Sequence, residues 1–255
     1  MTRLIAVLMG MTATGCAAKT PPNTTEPTEA PTVAAIVEHA IEATGGRARL
    51  EAIENARISY SVSIPQQGIE GTLLVHHSAP NQMMAQQEFP GLAVVNQGYD
   101  GTHGWATDNL MGPRLLGGVE LETTRRDAHL YWLMDFDTYY PEATVAERTD
   151  FAGEPAWKVQ AQSAWDREDE FFFHTKTGLQ LGAITLTETP MGSMPMEIRF
   201  ENYEDRDGLV LATRQVVVTG PVEMITELVE FEINAESFPT IEVPEDVQAL
   251  LEASP

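Results

Sequence analysis

The chain has 255 residues, of which 43% are hydrophobic, enough for one sizeable core and free of the bias that marks fibrous or wholly disordered proteins. Its 38 acidic residues outnumber 15 basic ones, and the resulting formal charge of −23 disfavours nucleic acid and anionic lipid headgroups as partners. Cys16 is the only cysteine, which excludes internal disulfides and multi-cysteine metal sites.

Residues 1–15 open with a short charged start, Met1-Thr2-Arg3, continue through an apolar run at 4–11 and end in small residues, the layout of a secretory signal. The run is far short of the roughly 20 residues of a membrane-spanning helix. Ala13-Thr14-Gly15-Cys16 resembles a bacterial lipobox, with Ala13 where Leu is commoner. The resemblance implies cleavage before Cys16, lipidation of its thiol and attachment to a membrane of the bacterial envelope. Ala17 follows; under the enteric sorting rule its identity points to the outer membrane, facing the periplasm. Residues 17–32 are rich in Pro, Thr and Glu and carry no large apolar side chain, so residues 16–32 read as a lipidated Cys with a disordered tether. Residues 33–255 then form a single domain.

In that domain Val33, Ile36, Val37, Ala40 and Ile41 share one helical face, with Thr32 as cap and Gly45-Gly46 as stop. A short turn follows at 47–54. From residue 56 the period becomes two: Ile58, Tyr60, Val62 and Ile64 alternate with serines, a half-buried strand. Further strands are expected at 69–77, 82–89, 92–99 and 103–107, with Asp100-Gly101 as a tight turn. Gly112-Pro113 and Gly117-Gly118 read as loop. Residues 120–134 read as one helix, with Leu121, Ala128, Trp132 and Leu133 facing inward. Strands resume at 144–151, 155–161, 169–174, 179–188, 197–203, 209–219 and 222–233, and Pro244 opens a terminal helix. The expected fold is mainly β with helical cover (α+β), a single large curled antiparallel sheet or incomplete β-barrel. Its edges must be protected by curling, and the helices at 33–44 and 120–134 are expected to cover its concave side.

Catalytic patterns are sparse. His76 and His77 are adjacent, so on a strand they face opposite ways and cannot share a metal. Asp100 beside His103 could orient a general base, but the turn at Asp100-Gly101 accounts for both. Gly192-Ser193-Met194 lacks the second glycine of a nucleophile elbow. The run Asp205-Arg206-Asp207-Gly208 lacks the closing Glu of a calcium loop, since position 216 is Val, and reads as a hairpin turn. No catalytic residue, metal site or cofactor is expected.

The most distinctive run is Gly98-Tyr99-Asp100-Gly101-Thr102-His103-Gly104-Trp105. With Gly45-Gly46, Leu50, Ile53, Pro80-Asn81, Thr177-Gly178-Leu179, the stretch from Thr189 to Pro195, and Tyr203 before Gly208, it resembles the outer-membrane lipoprotein-sorting-like family of LolA and LolB. It is similar in particular to a branch also found appended to insulinase-like peptidases. The resemblance implies an incomplete β-barrel with a helical lid over an apolar cavity, and a non-catalytic carrier or binder of lipidated or acyl ligands. Within that expectation Tyr99 and Trp105 are candidates for the cavity rim or wall. Met194 and Met196 join them, because methionine adapts to irregular ligands. The alternative is a protein-binding or signal-sensing module on the same fold, meeting a basic partner through its acidic surface.

Overall fold

The computed structural model describes residues 30–109, 111–189 and 192–253. The signal at 1–15, Cys16 and the tether as far as residue 29 lie outside the described residues, as does Met191. From Pro31 the chain forms one compact unit.

Two antiparallel meanders make one 13-stranded sheet. The first comprises β1 (Asn55–Ile64), β2 (Ile69–Ser78), β3 (Gln82–Phe89), β4 (Ala93–Tyr99), β5 (Gly104–Asp108) and β6 (Gly112–Leu115). The second comprises β7 (Glu142–Phe151), β8 (Glu154–Gln162), β9 (Glu168–His174), β10 (Gln180–Thr189), β11 (Gly192–Arg206), β12 (Leu209–Thr219) and β13 (Val222–Ile233). The meanders join where β1 pairs with β13, in a register running from Ala56 opposite Ile233 to Ser63 opposite Ile225. This leaves β6 and β7 at the two edges. The sheet curls strongly: Gln87 Nε2 on β3 reaches Met224 Sδ on β13 at 3.7 Å, although two strands lie between them.

The connection from β6 to β7 must therefore travel from one edge to the other, and it does so across the inner face. It holds α3 (Gly118–Ala128), a 3₁₀ turn at Trp132–Asp135 and α4 (Phe136–Tyr139). On the same face lie α1 (Val33–Thr44) and the short α2 (Arg47–Glu51). The Thr32 hydroxyl caps α1 by accepting from the Ala35 amide at 3.2 Å. Gly45 ends it at φ 139°, where a Cβ would stand 2.7 Å from the Gly208 carbonyl oxygen. The main core joins Ile36, Ala40 and Ile41 of α1 to Phe136 and Tyr140 and to Val159, Phe171 and Phe173 of the sheet. A second cluster packs α3, through Ala128 and Leu121, on Val75, Met83 and Tyr99.

Part of the opposite face, over β3, β5 and β6, is also covered, which the sequence did not suggest. Phe238, Ile241 and Val243 of the C-terminal segment, with Val247 and Leu251 of α5 (Glu245–Ala253), pack on Trp105, Met84 and Leu115.

Three expectations change. Gly112-Pro113 belongs to a strand, β6: proline is tolerated because β6 is the sheet edge and one side needs no donor. The helix expected over 120–134 stops at Ala128, because His129 is extended and bridges Asn81 at the start of β3. The residues beyond it turn again as separate short pieces. Finally, Met194 and Met196 lie in β11, which begins at Gly192 rather than at 197.

Candidate functional site

Between α3 and the inner face of β10 and β11 lies a cavity of about 1290 Å³. Val119, Thr123 and Arg126 line it from the helix, and Thr185, Met196 and Ile198 from the sheet. Val119 and Leu186, both about half exposed, give the mouth an apolar lip. The helix is tied to both sides of this space. Toward the first meander, Gln97 Nε2 donates to the Thr124 hydroxyl at 2.6 Å. Toward the second, Arg167 Nη1 donates to the Thr123 hydroxyl at 2.8 Å.

The second tie belongs to a buried charge network centred on Asp169, which is 2% exposed. Its Oδ2 accepts from Arg167 Nη2 at 2.7 Å and Nε at 3.2 Å, and from the Tyr140 hydroxyl at 2.7 Å. Its Oδ1 accepts from the Thr185 hydroxyl. Arg126 of α3 donates to Tyr140 and lies 3.7 Å from Asp169, while also pairing with Asp127 at 2.6 Å. Burial pulls the Arg126 pKa down, but Asp127, Tyr140 and Asp169 outweigh it and leave the guanidinium firmly charged. Burial likewise pushes the Tyr140 phenol up, so it remains a donor. The donors of both arginines are largely used within the protein, and this network is best understood as holding the lid.

A second cavity, of about 250 Å³, lies farther along the same face. Ile198 of β11 lines the larger space and Phe200, the next side chain inward, lines the smaller. Ala40 and Thr44 of α1 and Leu133 cover it; Ile58, Leu211 and Phe231 are among its walls. No charged residue lines it among the described residues. The larger space has an apolar strip of Val119, Leu186, Met196 and Ile198 among polar and charged side chains, and it leads along the face to the smaller, mainly apolar one; together they can hold an extended aliphatic chain.

The four residues singled out from the sequence are not brought together. Tyr99 pairs with Gly104 and Gly98 with Trp105, so Tyr99 and Trp105 point to opposite faces. Tyr99 faces α3 on the inner side and is 5% exposed. Trp105 is 1% exposed on the outer side, beneath the C-terminal segment. The distinctive run is thereby explained as packing. A Cβ on Gly98 would come within 2.3 Å of the Trp105 ring, and one on Gly104 within 2.7 Å of Leu121 in α3. Each glycine makes room for a large neighbour on its own face. Met196 does line the larger cavity; Met194, two residues away, is half-buried and approaches Gly220.

The titratable pairs have structural partners. Asp100 Oδ1 accepts from the amides of Thr102 and His103 at 2.7 and 2.6 Å, closing the turn. Partial burial works against its charge, yet the His103 and Thr102 donors hold its pKa below the ordinary carboxylate value. Asp205 Oδ1 accepts from the Gly208 amide at 3.1 Å, a hairpin turn. His76 faces outward, edge-on to Phe238 at 5.4 Å, and His77 faces inward against the Ala128 carbonyl. Burial lowers the pKa of both. Among the described residues no group of three or more His, Cys, Asp or Glu side chains could hold a metal ion. No described helix is long and apolar enough to cross a membrane.

No family model matches the sequence, and no curated protein matches it. Solved structures do. A LolA superfamily protein from Nitrosomonas europaea is similar at TM-score 0.57 and 12% identity, covering 82% of this chain and 96% of that one. A putative outer membrane lipoprotein-sorting protein domain from Vibrio parahaemolyticus gives 0.53 and 10% over 79% and 93%. A DUF1329 family protein from Desulfovibrio piger gives 0.52 and 11% over 80% and 94%. At these identities the likeness is one of architecture: the chain has a LolA-like fold, an open antiparallel sheet crossed on its inner face by helices.

Proposed function

We propose that this protein is a lipid-anchored lipoprotein of the bacterial envelope that binds lipidated or acyl ligands on the inner face of its sheet, without catalysis. The observation that carries the reading is the pair of cavities in series beneath α1 and α3, on a fold shared with a lipoprotein-sorting domain. Burial of an aliphatic chain there is worth about 0.8 kcal/mol per methylene. Affinity should rise with chain length until the space is filled and should vary little with salt. Mass spectrometry of the purified protein should find co-purified lipid. A protein free of lipid that also fails to take up any acyl probe saturably would overturn the reading.

The anchor is tested separately. Cys16→Ser should move the protein from the membrane to the soluble envelope fraction, and limited proteolysis should clip first within residues 17–32. Retention of the variant on membranes would refute lipidation.

A second reading has one observation in its favour. Asp127, Glu142, Asp166 and Glu168 line the larger cavity beside Arg126 and Arg167, so its rim carries excess negative charge. Such a rim suits a basic protein partner delivering or receiving the ligand. Binding of that kind would weaken steeply with salt, unlike acyl binding.

A further inference from the structure

The smaller cavity is apolar in its walls but not in all of its groups. Five polar side chains line it: Thr44, Tyr60, Gln180, Tyr203 and Gln215. Three are satisfied by the protein itself. The Thr44 hydroxyl donates to the Ala40 carbonyl at 2.8 Å, the Tyr203 hydroxyl to the Gln180 carbonyl, and Gln180 Nε2 to the Gly182 carbonyl at 3.4 Å. The Tyr60 hydroxyl and the Gln215 side-chain amide have no hydrogen-bond partner among the described residues.

Their placement follows from register. Tyr60 on β1 stands opposite Leu228 of β13, and Gln215 on β12 stands opposite Thr226 of β13. The two therefore lie diagonally across one strand and both line the cavity. Both residues are only partly exposed, and the protein itself meets neither polar group. Standing on the wall of one cavity, the two are free to bind what the cavity receives.

We propose, resting on the acyl-binding reading above, that the smaller cavity receives a stretch of ligand bearing a neutral oxygen function, a hydroxyl or an ester carbonyl, bound by Tyr60 and Gln215. The phenol supplies a donor, and the amide supplies donors and an acceptor, so both functions can be met. Burial pushes the Tyr60 pKa up to about 12, which keeps the donor proton in place at any physiological pH. A free carboxylate is disfavoured there, because the described wall has no cation and an unpaired buried charge is far costlier than a neutral dipole. The chain thus enters with its polar function inside and its charged groups, if any, toward the larger cavity, where Arg126, Arg167 and the rim carboxylates lie.

The test uses the full chain carrying Cys16→Ser, with the neutral fluorophore N-phenylnaphthylamine as reporter. Octane, octanol, methyl octanoate and octanoate are compared as displacing ligands at neutral pH. Octanol or methyl octanoate should bind at least as tightly as octane, and octanoate more weakly than either oxygenated probe. Tyr60→Phe and Gln215→Leu should each weaken the favoured oxygenated probe about fivefold, the worth of one hydrogen bond, while leaving octane unchanged. Neither variant should lower Tm, since each removes a polar group that the empty protein leaves unpaired. Octane outbinding both oxygenated probes, or equal losses for all probes in the variants, overturns this inference while leaving acyl binding intact. Failure of the wild type to bind the fluorophore or any of the probes overturns both.

Discussion

The two faces of the sheet solve the same problem differently. On the outer side, Trp105 fills the space left by Gly98 and is sealed beneath Phe238, Ile241 and Val243. On the inner side, helices bridge the curl and leave two cavities, held by polar ties such as Gln97–Thr124 and Arg167–Thr123. Both faces carry alternating apolar side chains, so alternation alone does not separate a packed face from a receiving one. The difference lies in the cover. A segment that lies directly on the strands fills its face with side chains, while a helix that must travel from edge to edge spans space.

The contrast can be broken most severely at Asp169. Asp169→Ala strips the buried partner from Arg126 and Arg167 and should cost about 3–5 kcal/mol, seen as a large fall in Tm and a loosened lid. Next comes the outer face. Trp105→Leu should cost about 2–4 kcal/mol in chemical denaturation, while the fraction that remains folded binds acyl probes with unchanged affinity. Lost affinity with retained stability would instead make the outer face part of the site. Gly98→Val, which drives a side chain into the indole, should cost about 1–3 kcal/mol by the same measurement. Met196→Glu, on the inner face, should reverse the pattern: acyl binding falls at least tenfold, the cost of about 1.4 kcal/mol or more for a charge in the chain's path, with little change in Tm.

The smallest expected effect is on pH. His77 is buried neutral against the end of α3, so its folded pKa is below the ordinary value of 6.5. The unfolded chain therefore takes up its proton first as pH falls. The His77 contribution to stability is complete above about pH 6.5 and declines below it, until the folded pKa is reached. His77→Gln should flatten the fall in Tm between about pH 7 and pH 5.

Much of this architecture is legible in residue order. The serine alternation of β1 and the hairpin turns at Asp100, Asp207 and Gly220 place the strands, and Thr32 with Gly45 brackets α1. What failed to be legible depends on register and tertiary contact. Tyr99 and Trp105 stand close in sequence, but a one-residue change in turn length exchanges the faces of everything beyond it. The loop between Tyr99 and Gly104 sets them apart. The break at His129 comes from its bridge to Asn81, a contact no local pattern announces. Tyr60 and Gln215 carried a signal that was readable in principle. Gln215 sits among Leu, Val and Ala in an apolar strand at a position that turns inward, a polar residue where periodicity calls for an apolar one.

The seam between β1 and β13 has a consequence for how the molecule is made. Asn55–Ile64 lies near the beginning of the domain and Val222–Ile233 near its end, yet they are adjacent in the sheet. As the chain emerges, β1 through β6 can zip together from local hairpins, but the free edge of β1 waits until nearly all the rest has appeared. Closure of that long loop is an entropic cost met late, which slows folding and leaves an unpaired edge open to wrong partners meanwhile. Kinetic vulnerability is thus concentrated at one strand, and a helper that shielded β1 during synthesis would protect the whole sheet.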